Sequence, residues 1–343
     1  MTIRVPAKRA GVYFIRETTA NSYLVPTQNS DKALRIYGWK LAPRGGMIQQ
    51  ADDQNPNIGG GGLLMGAIGW KADYSHRVIK VPDLTSMTSH ELLGLLRSCP
   101  LEYALTTGPN AITFSLSNKY AIGVSGSGEI NPTSMTAVDQ ANTWSGKGGV
   151  SIIRAIRSDG RDKIALDFTT DLQLRSTRND SVVDNATSTL SNASVAFRDD
   201  SVIAPQGTLT ITGLDGSATV CSAAFSLNLG MTISDAECIG GTDGYANSNV
   251  VSGGFVALSM TVYATPELAT SAGRQWWETY FAEESIGAIT LVFPSKDGAQ
   301  EFFVSMATAK IEQLTPTEFQ GMVAYDTMIT ATGAVTFGWR ATS

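Results

Sequence analysis

The sequence predicts a mainly β fold with flanking helices, arranged as two tandem sandwich or barrel units in one chain. Three observations predict it. Apolar and polar residues alternate over many short runs, as in Ala33–Leu41, Phe255–Tyr263 and Ile289–Phe293. Charged residues make up only 16% of the 343 positions, and 34 glycines join abundant Ser, Thr and Asn between the runs. The order of runs in the first half recurs in the second.

The elements follow in chain order. Residues 1–30 mix charges with Pro6 and Pro26 and show no period, which predicts an extended arm lying on another part of the molecule. The first unit is expected over 31–175. Ala33–Leu41 is a strand, and a polar stretch over 44–62 ends in the glycines Gly59–Gly62. Leu63–Val81 is a long strand through Trp70, Tyr74 and Val78. Thr88 or Ser89 caps a helix striped by Leu92, Leu95 and Leu96 and stopped by Pro100. Ile112–Val124 is a strand pair turning at Asn118-Lys119, and Gly149–Ile156 and Lys163–Leu174 flank Ser158-Asp159-Gly160.

Residues 176–205 carry few large apolar side chains and form a polar linker or excursion. The second unit is expected over 206–343. Ala223–Ile233 is a strand, Ser234–Ser252 a glycine-containing loop, and Phe255–Tyr263 a long strand. A helix follows, with Thr265 as cap, Pro266 at its first position, and Leu268, Trp276, Trp277 and Tyr280 as anchors. Ile289–Phe293 and Gln300–Met306 then form a hairpin around Lys296-Asp297-Gly298. Lys310–Leu314 and Gly321–Ala331 finish the sheet. Both halves thus run strand, polar loop, long strand, helix, strand, Asp-Gly turn, strand, with extra chain between the first helix and its Asp-Gly turn.

Composition and spacing speak against several functions. The net charge of −6 and pI near 5.0 do not suit a protein that grips nucleic acid through clustered cations. No apolar run follows Arg4, Lys8 and Arg9 as a leader would require, and none is long enough to span a bilayer. Cys99, Cys221 and Cys238 form no C-x-x-C pair and are expected as buried thiols, although Cys221 and Cys238 flank one hairpin and could meet. His76 and His90 lack metal-ligand spacing, and no G-x-S-x-G elbow accompanies them. Trp144-Ser-Gly-Lys-Gly-Gly149 lacks the Ser or Thr and the helix of a phosphate loop, so a turn before a strand is expected. Asp159, Asp162 and Asp167 do not have calcium-loop spacing. Glu283 and Glu284 are expected in solvent, and Trp276 and Trp277 to clamp their helix on a sheet rather than stack a sugar or base. No nucleophile, base and orienter can be assembled, so no enzyme, cofactor or metal is expected.

The order of elements resembles the tail tube proteins of long-tailed bacteriophages. The resemblance rests on Phe225–Gly230, Gly253–Tyr263, Trp276-Trp277 and Ile289–Met306, with Trp70–Asp73, Leu84–Ser98 and Asp159–Leu174 in the first half. It implies a tail-tube-like β-sandwich unit, present twice, whose inner strands join with neighbours into a barrel around a lumen. Two units per chain imply a homotrimeric, pseudo-hexameric ring, or a homohexamer if the duplication is false. Stacked rings would form the tube of a virion tail, synthesised in the host cytoplasm. The tape measure protein and genomic DNA would lie in the lumen without specific binding, and tail-tip and terminator proteins would close the ends, with no membrane contact. The long loops would reach the next ring through Arg44, Gln49, Asp52, Asp53, Asp235, Asp243 and Asn247. A lumen lined by Asp, Glu, Ser and Thr and few cations would let DNA slide. The competing expectations are another virion part (baseplate, tail terminator or capsid-surface protein) and a carbohydrate-binding adhesin module.

Overall fold

A computed structural model describes residues 11–19, 22–24, 33–34, 36–44, 69–88, 90–116, 129–138, 142–159, 163–174, 182–184, 202, 207–211, 222–236, 248–263 and 271–342. The first half contributes β1 (Gly11–Arg16), β2 (Ala33–Leu34), β3 (Ile36–Arg44), β4 (Gly69–Arg77), helix α1 (Glu91–Leu96), β5 (Leu101–Thr106) and β6 (Ala111–Leu116). It continues with β7 (Thr133–Val138), β8 (Asn142–Asp159), β9 (Lys163–Leu174) and β10 (Val182–Asp184). The second half contributes β11 (Thr208–Ile211), β12 (Ser222–Asn228), β13 (Met231–Ala236), β14 (Ser248–Gly253), β15 (Ala257–Tyr263) and helix α2 (Ser271–Phe281). Then come β16 (Ser285–Ile286), β17 (Ile289–Pro294), β18 (Gln300–Met306), β19 (Ala309–Phe319), β20 (Met322–Ala331) and β21 (Val335–Ala341).

The chain is mainly β, in two large antiparallel sheets, and strands of both halves enter both of them. The larger sheet holds thirteen strands, and the smaller runs β11-β17-β18-β21-β6-β5. Alternation dictates the layers, because every second residue of a strand faces the same way. Tyr74, Phe168, Ile156, Leu227, Leu258 and Ile329 turn inward from the larger sheet, and Phe302, Val304, Phe337 and Trp339 turn inward from the smaller. Phe225 of β12 stacks on Phe293 of β17 at 5.3 Å, across the gap between the sheets. Trp339 is fully buried between Phe302 at 5.1 Å and Phe114 at 6.3 Å, and its indole N–H donates to the carbonyl of Ile79 at 2.9 Å.

Helix α1 is buried on all sides: Leu92, Leu93, Leu95 and Leu96 have no exposed surface. Its cap is His90, whose Nδ1 accepts from the Leu92 N–H at 3.0 Å, and not Thr88 or Ser89. In α2, Trp276 is buried and Trp277 packs edge-on against Tyr325 of β20, as expected of a clamp. The N-terminal segment supplies β1, which pairs with β7. There the buried Glu17 carboxylate accepts from the Gly148 N–H at 2.6 Å and the Ser134 hydroxyl at 2.9 Å.

Several expected elements differ. Of the strand pair expected over 112–124, Ile112–Leu116 lies in β6, which pairs with the unexpected strand β5 through a turn at residues 107–110, and 117–124 lie outside the described residues. The segment Trp144–Gly149 is not a turn before a strand but the interior of β8, where a bulge between Lys147 and Val150 absorbs the small residues. The last strand is β21, beyond the expected end of the sheet at Ala331. Part of the expected linker, Val182–Asp184, pairs with β8. Cys99 is buried, and burial pushes its thiol pKa up. Cys221, Cys238, Thr265, Pro266 and Leu268 lie outside the described residues.

Candidate functional site

The main feature of the larger sheet is a strand order written twice. In the first half, β3 pairs with β4, β4 with β9, and β9 with β8. In the second half, β12 pairs with β15, β15 with β20, and β20 with β19. The counterparts are therefore β3 and β12, β4 and β15, β9 and β20, β8 and β19. The same correspondence matches α1 to α2 and hairpin β5–β6 to hairpin β17–β18.

A shared irregularity fixes the correspondence to the residue. The pairing of β8 with β9 slips between Ile153 and Ala155, and that of β19 with β20 slips between Ile311 and Gln313. Each bulge follows a buried isoleucine that faces a buried residue, Phe168 or Ile329. Ile153, Ala155, Ile156 and Arg157 thus correspond to Ile311, Gln313, Leu314 and Thr315. On the facing strands, Tyr74 corresponds to Leu258 and Ser75 to Ser259, since these pair with Phe168, Ile329, Asp167 and Met328 respectively.

This alignment corrects the sequence-level repeat. Asp159 and Lys163 pair at the ends of β8 and β9 in the larger sheet, whereas Asp297-Gly298 joins β17 to β18 in the smaller. The two turns are not counterparts, because any tight hairpin favours the same residues. The chain that looked extra after the first helix includes the hairpin β5–β6, the missing counterpart of β17–β18.

The two fours are joined edge to edge. Strand β8 gives one edge to β10 at Asn142–Trp144 and to β9 from Gly146 onward, so its other edge serves β7 near its start and β12 near its end. The junction pairs Ala155 with Asn228, Ile156 with Leu227 and Arg157 with Ser226. The result is a run of eight strands, β3-β4-β9-β8-β12-β15-β20-β19. Its outer strands are the counterparts of the two that meet in the middle. Among the described residues, no strand pairs with β3 on the edge away from β4. On the edge of β19 away from β20, only β16 pairs, and only at Ala309 and Lys310.

The eight strands are staggered. A row across the sheet runs Tyr37, Ser75, Asp167, Ala155, Asn228. The counterpart of Tyr37 is Ser226, so crossing four strands displaces the repeat by two residues. A constant stagger of this kind is what closing a sheet into a barrel requires.

The face turned away from the smaller sheet is polar. On the first four strands it carries Lys40, Lys71, Arg77, Arg157 and Lys163 with Asp73 and Asp167. Arg157 holds Asp167 with two hydrogen bonds, at 2.7 and 3.1 Å, and Arg77 lies over the Tyr37 ring. On the second four it carries Ser226, Ser259, Thr261, Thr315 and Asp326, with Lys310 at one end. Cations are thus few on the second four and several on the first.

The candidate contact loops leave the sheet at equivalent places, between β3 and β4 and between β12 and β15. Arg44 ends β3 opposite Gly69, and Asp235 lies in β13 opposite Asn249. Gln49, Asp52, Asp53, Asp243 and Asn247 lie outside the described residues. The second loop begins at Gly230 (φ +67°), where an added Cβ would lie 2.6 Å from the Phe255 carbonyl oxygen. The residues that sequence reasoning missed are those of the outer strands of the run, Tyr37–Lys40 and Gln313–Thr315. A signal existed in Pro43 and Pro316, since proline within a strand-like run marks an edge.

No family model matches the chain, and no curated protein does. Among solved structures, the chain is similar to the SPP1 tail tube, at 15% identity over 38% of this chain and 76% of that one, with a TM-score of 0.25. It is also similar to Hcp2 from Salmonella typhimurium, at 14% identity over 38% of this chain and 92% of that one, with a TM-score of 0.21.

Proposed function

We propose that this chain is a non-catalytic virion structural protein that assembles with copies of itself into rings, which stack as the hollow tube of a phage tail. The observation that carries this reading is the eight-stranded run: two equivalent fours joined edge to edge, whose counterpart edges carry, among the described residues, no strand on β3 and only β16 at Ala309 and Lys310 on β19. Open strand edges are a liability in a dispersed protein and a means of association in an assembling one. The contact is heterologous, one edge meeting a different edge, so it closes into a ring when the rotation per chain divides a full turn. The two-residue stagger supports closure as a barrel. Three chains would give six fours, the pseudo-sixfold ring implied by the resemblance to tail tube proteins. The polar face would line a lumen for the tape measure protein and genomic DNA, and the loops after β3 and β12 would touch the adjacent ring.

Electron microscopy of the purified chain at rising concentration, with and without preformed tail tips as nuclei, tests this reading. Hollow tubes or stacked rings with sixfold features in end views are expected. Dispersed single chains under every condition overturn it.

A further inference from the structure

Resting on that reading, we infer which strands meet between copies and in what register: β19 of one chain adds antiparallel to β3 of the next, with Gln313 opposite Lys40 and Thr315 opposite Tyr37. The internal junction is the template. There β8 meets β12 with Ala155 opposite Asn228 and Arg157 opposite Ser226. The shared bulge maps Ala155 to Gln313 and Arg157 to Thr315. On the other side, Asn228 pairs with Ala257 as Lys40 pairs with Asp73, and Ser226 pairs with Ser259 as Tyr37 pairs with Ser75. Between Tyr37 and Lys40 the first copy carries one extra residue, a bulge that its counterpart lacks.

Three features beyond the mapping support this pairing. Gln313, Thr315 and Lys40 are exposed, while the intervening Leu314 is buried as its counterpart Ile156 is. The short strand β16 occupies the edge of β19 only up to Lys310 and leaves the inferred segment open. The prolines also bracket the segment. Pro316 follows Thr315 directly, and Pro43 lies beyond Lys40, so each residue that cannot donate to a ladder falls outside the three-residue junction. The internal junction is equally short, ending at Arg157 on β8 and at Asn228 on β12.

Disulfide trapping tests the register. Gln313→Cys and Lys40→Cys are placed in one full-length chain whose Cys99, Cys221 and Cys238 are replaced by Ser or Ala, and the assembled protein is oxidised. Residues directly opposite across an antiparallel pair lie within disulfide reach, and a two-residue offset does not. The two positions in one chain are seven strand spacings apart, about 34 Å, so a bond between them must join two chains. Covalent multimers are expected on non-reducing gels, roughly ten-fold more abundant than for the offset pair Gln313→Cys with Ala42→Cys. Circular dichroism confirms that each variant is folded, and microscopy is run on the same samples. Rings or tubes without cross-linking at 313 and 40, or with stronger cross-linking at 313 and 42, overturn the inferred junction and leave the tube reading standing. Folded single chains with neither rings nor cross-links overturn both.

Discussion

Replacing Trp339 with Ala should loosen both halves of the chain at once. Trp339 lies in β21, which is inserted between β18 of the second half and β6 of the first. Its ring touches Phe302 on one side and Phe114 on the other, and its N–H satisfies the Ile79 carbonyl. Removing a fully buried indole costs about 3–5 kcal/mol in transfer and cavity terms. The orphaned carbonyl adds about 1–3 kcal/mol. The total is comparable with the whole stability of an ordinary domain, about 5–15 kcal/mol. Trp339→Phe keeps an aromatic ring and loses the N–H, so it should fall between the variant and the parent.

The assay combines urea unfolding with labelling of Cys99, in a chain where Cys221 and Cys238 are Ser, at one fixed protein concentration because association shifts apparent stability. Cys99 lies at the end of α1 in the first half, buried and with its thiol pKa raised by burial. It reacts when the first half opens. With a slope of about 3 kcal/mol per molar urea, the Trp339→Ala midpoint should drop by roughly 1–3 M, or the chain should fail to fold. Cys99 should become reactive over the same urea range. A lowered second-half transition with Cys99 protection unchanged would refute the claim that the shared sheets couple the halves.

Three further outcomes are expected. Glu17→Ala should cost about 2–4 kcal/mol by stranding the buried Gly148 N–H and Ser134 hydroxyl, while Glu17→Gln retains an acceptor and loses less; thermal unfolding compares the two. Asp297 accepts hydrogen bonds from Lys80, the Ser295 hydroxyl and the Ala299 N–H, which hold its carboxyl well below the usual carboxylate range. Its contribution is therefore complete above the unfolded carboxylate pKa near 4 and is lost as pH falls below it, so parent and Asp297→Asn stabilities should converge in acid; unfolding midpoints between pH 7 and pH 2 measure this. Gly230→Ala should displace the base of the β13–β14 hairpin, since its φ is positive and an added Cβ meets the Phe255 carbonyl; faster amide exchange in β13 and β14 than in β15 checks it.

Strands and turns were legible where period and turn chemistry agreed. The run Phe255–Tyr263 gave β15 almost residue for residue, and Lys296-Asp297-Gly298 gave the β17–β18 hairpin. The hairpin β5–β6 was missed because burial in Leu101–Thr106 does not alternate: the five residues Glu102–Thr106 are all exposed on an edge strand. Segment 144–149 was misread because its small residues suggested a turn, while β7 and β9 on either side hold it extended. The repeated strand order of the larger sheet was legible as element order. Its alignment was not, since Asp-Gly marks a tight turn in whichever sheet that turn happens to lie. The open edges were hidden for a related reason: pairing partners are a property of the folded sheet and leave only a trace, such as Pro43 and Pro316, in the run itself.

The two junctions of the assembled sheet would have the same strands and different constraints. Between β8 and β12 the partners belong to one chain, tied through the segment that carries β10 and β11, so their effective concentration is independent of protein concentration. Between β19 and β3 the partners would belong to different chains and would meet at a rate set by concentration. The internal junction can therefore form during folding, while the external one waits for a neighbour. Carrying two units in one chain would halve the number of encounters that closing six units requires. The two strand sets also differ: Arg157 holds Asp167 beside the internal junction, and their counterparts on the second set are Thr315 and Met328. The Arg157–Asp167 pair would stabilise a contact that need never open, while the inferred inter-chain contact would set Gln313 and Thr315 against Lys40 and Tyr37 and rest on backbone pairing and the apolar Leu314.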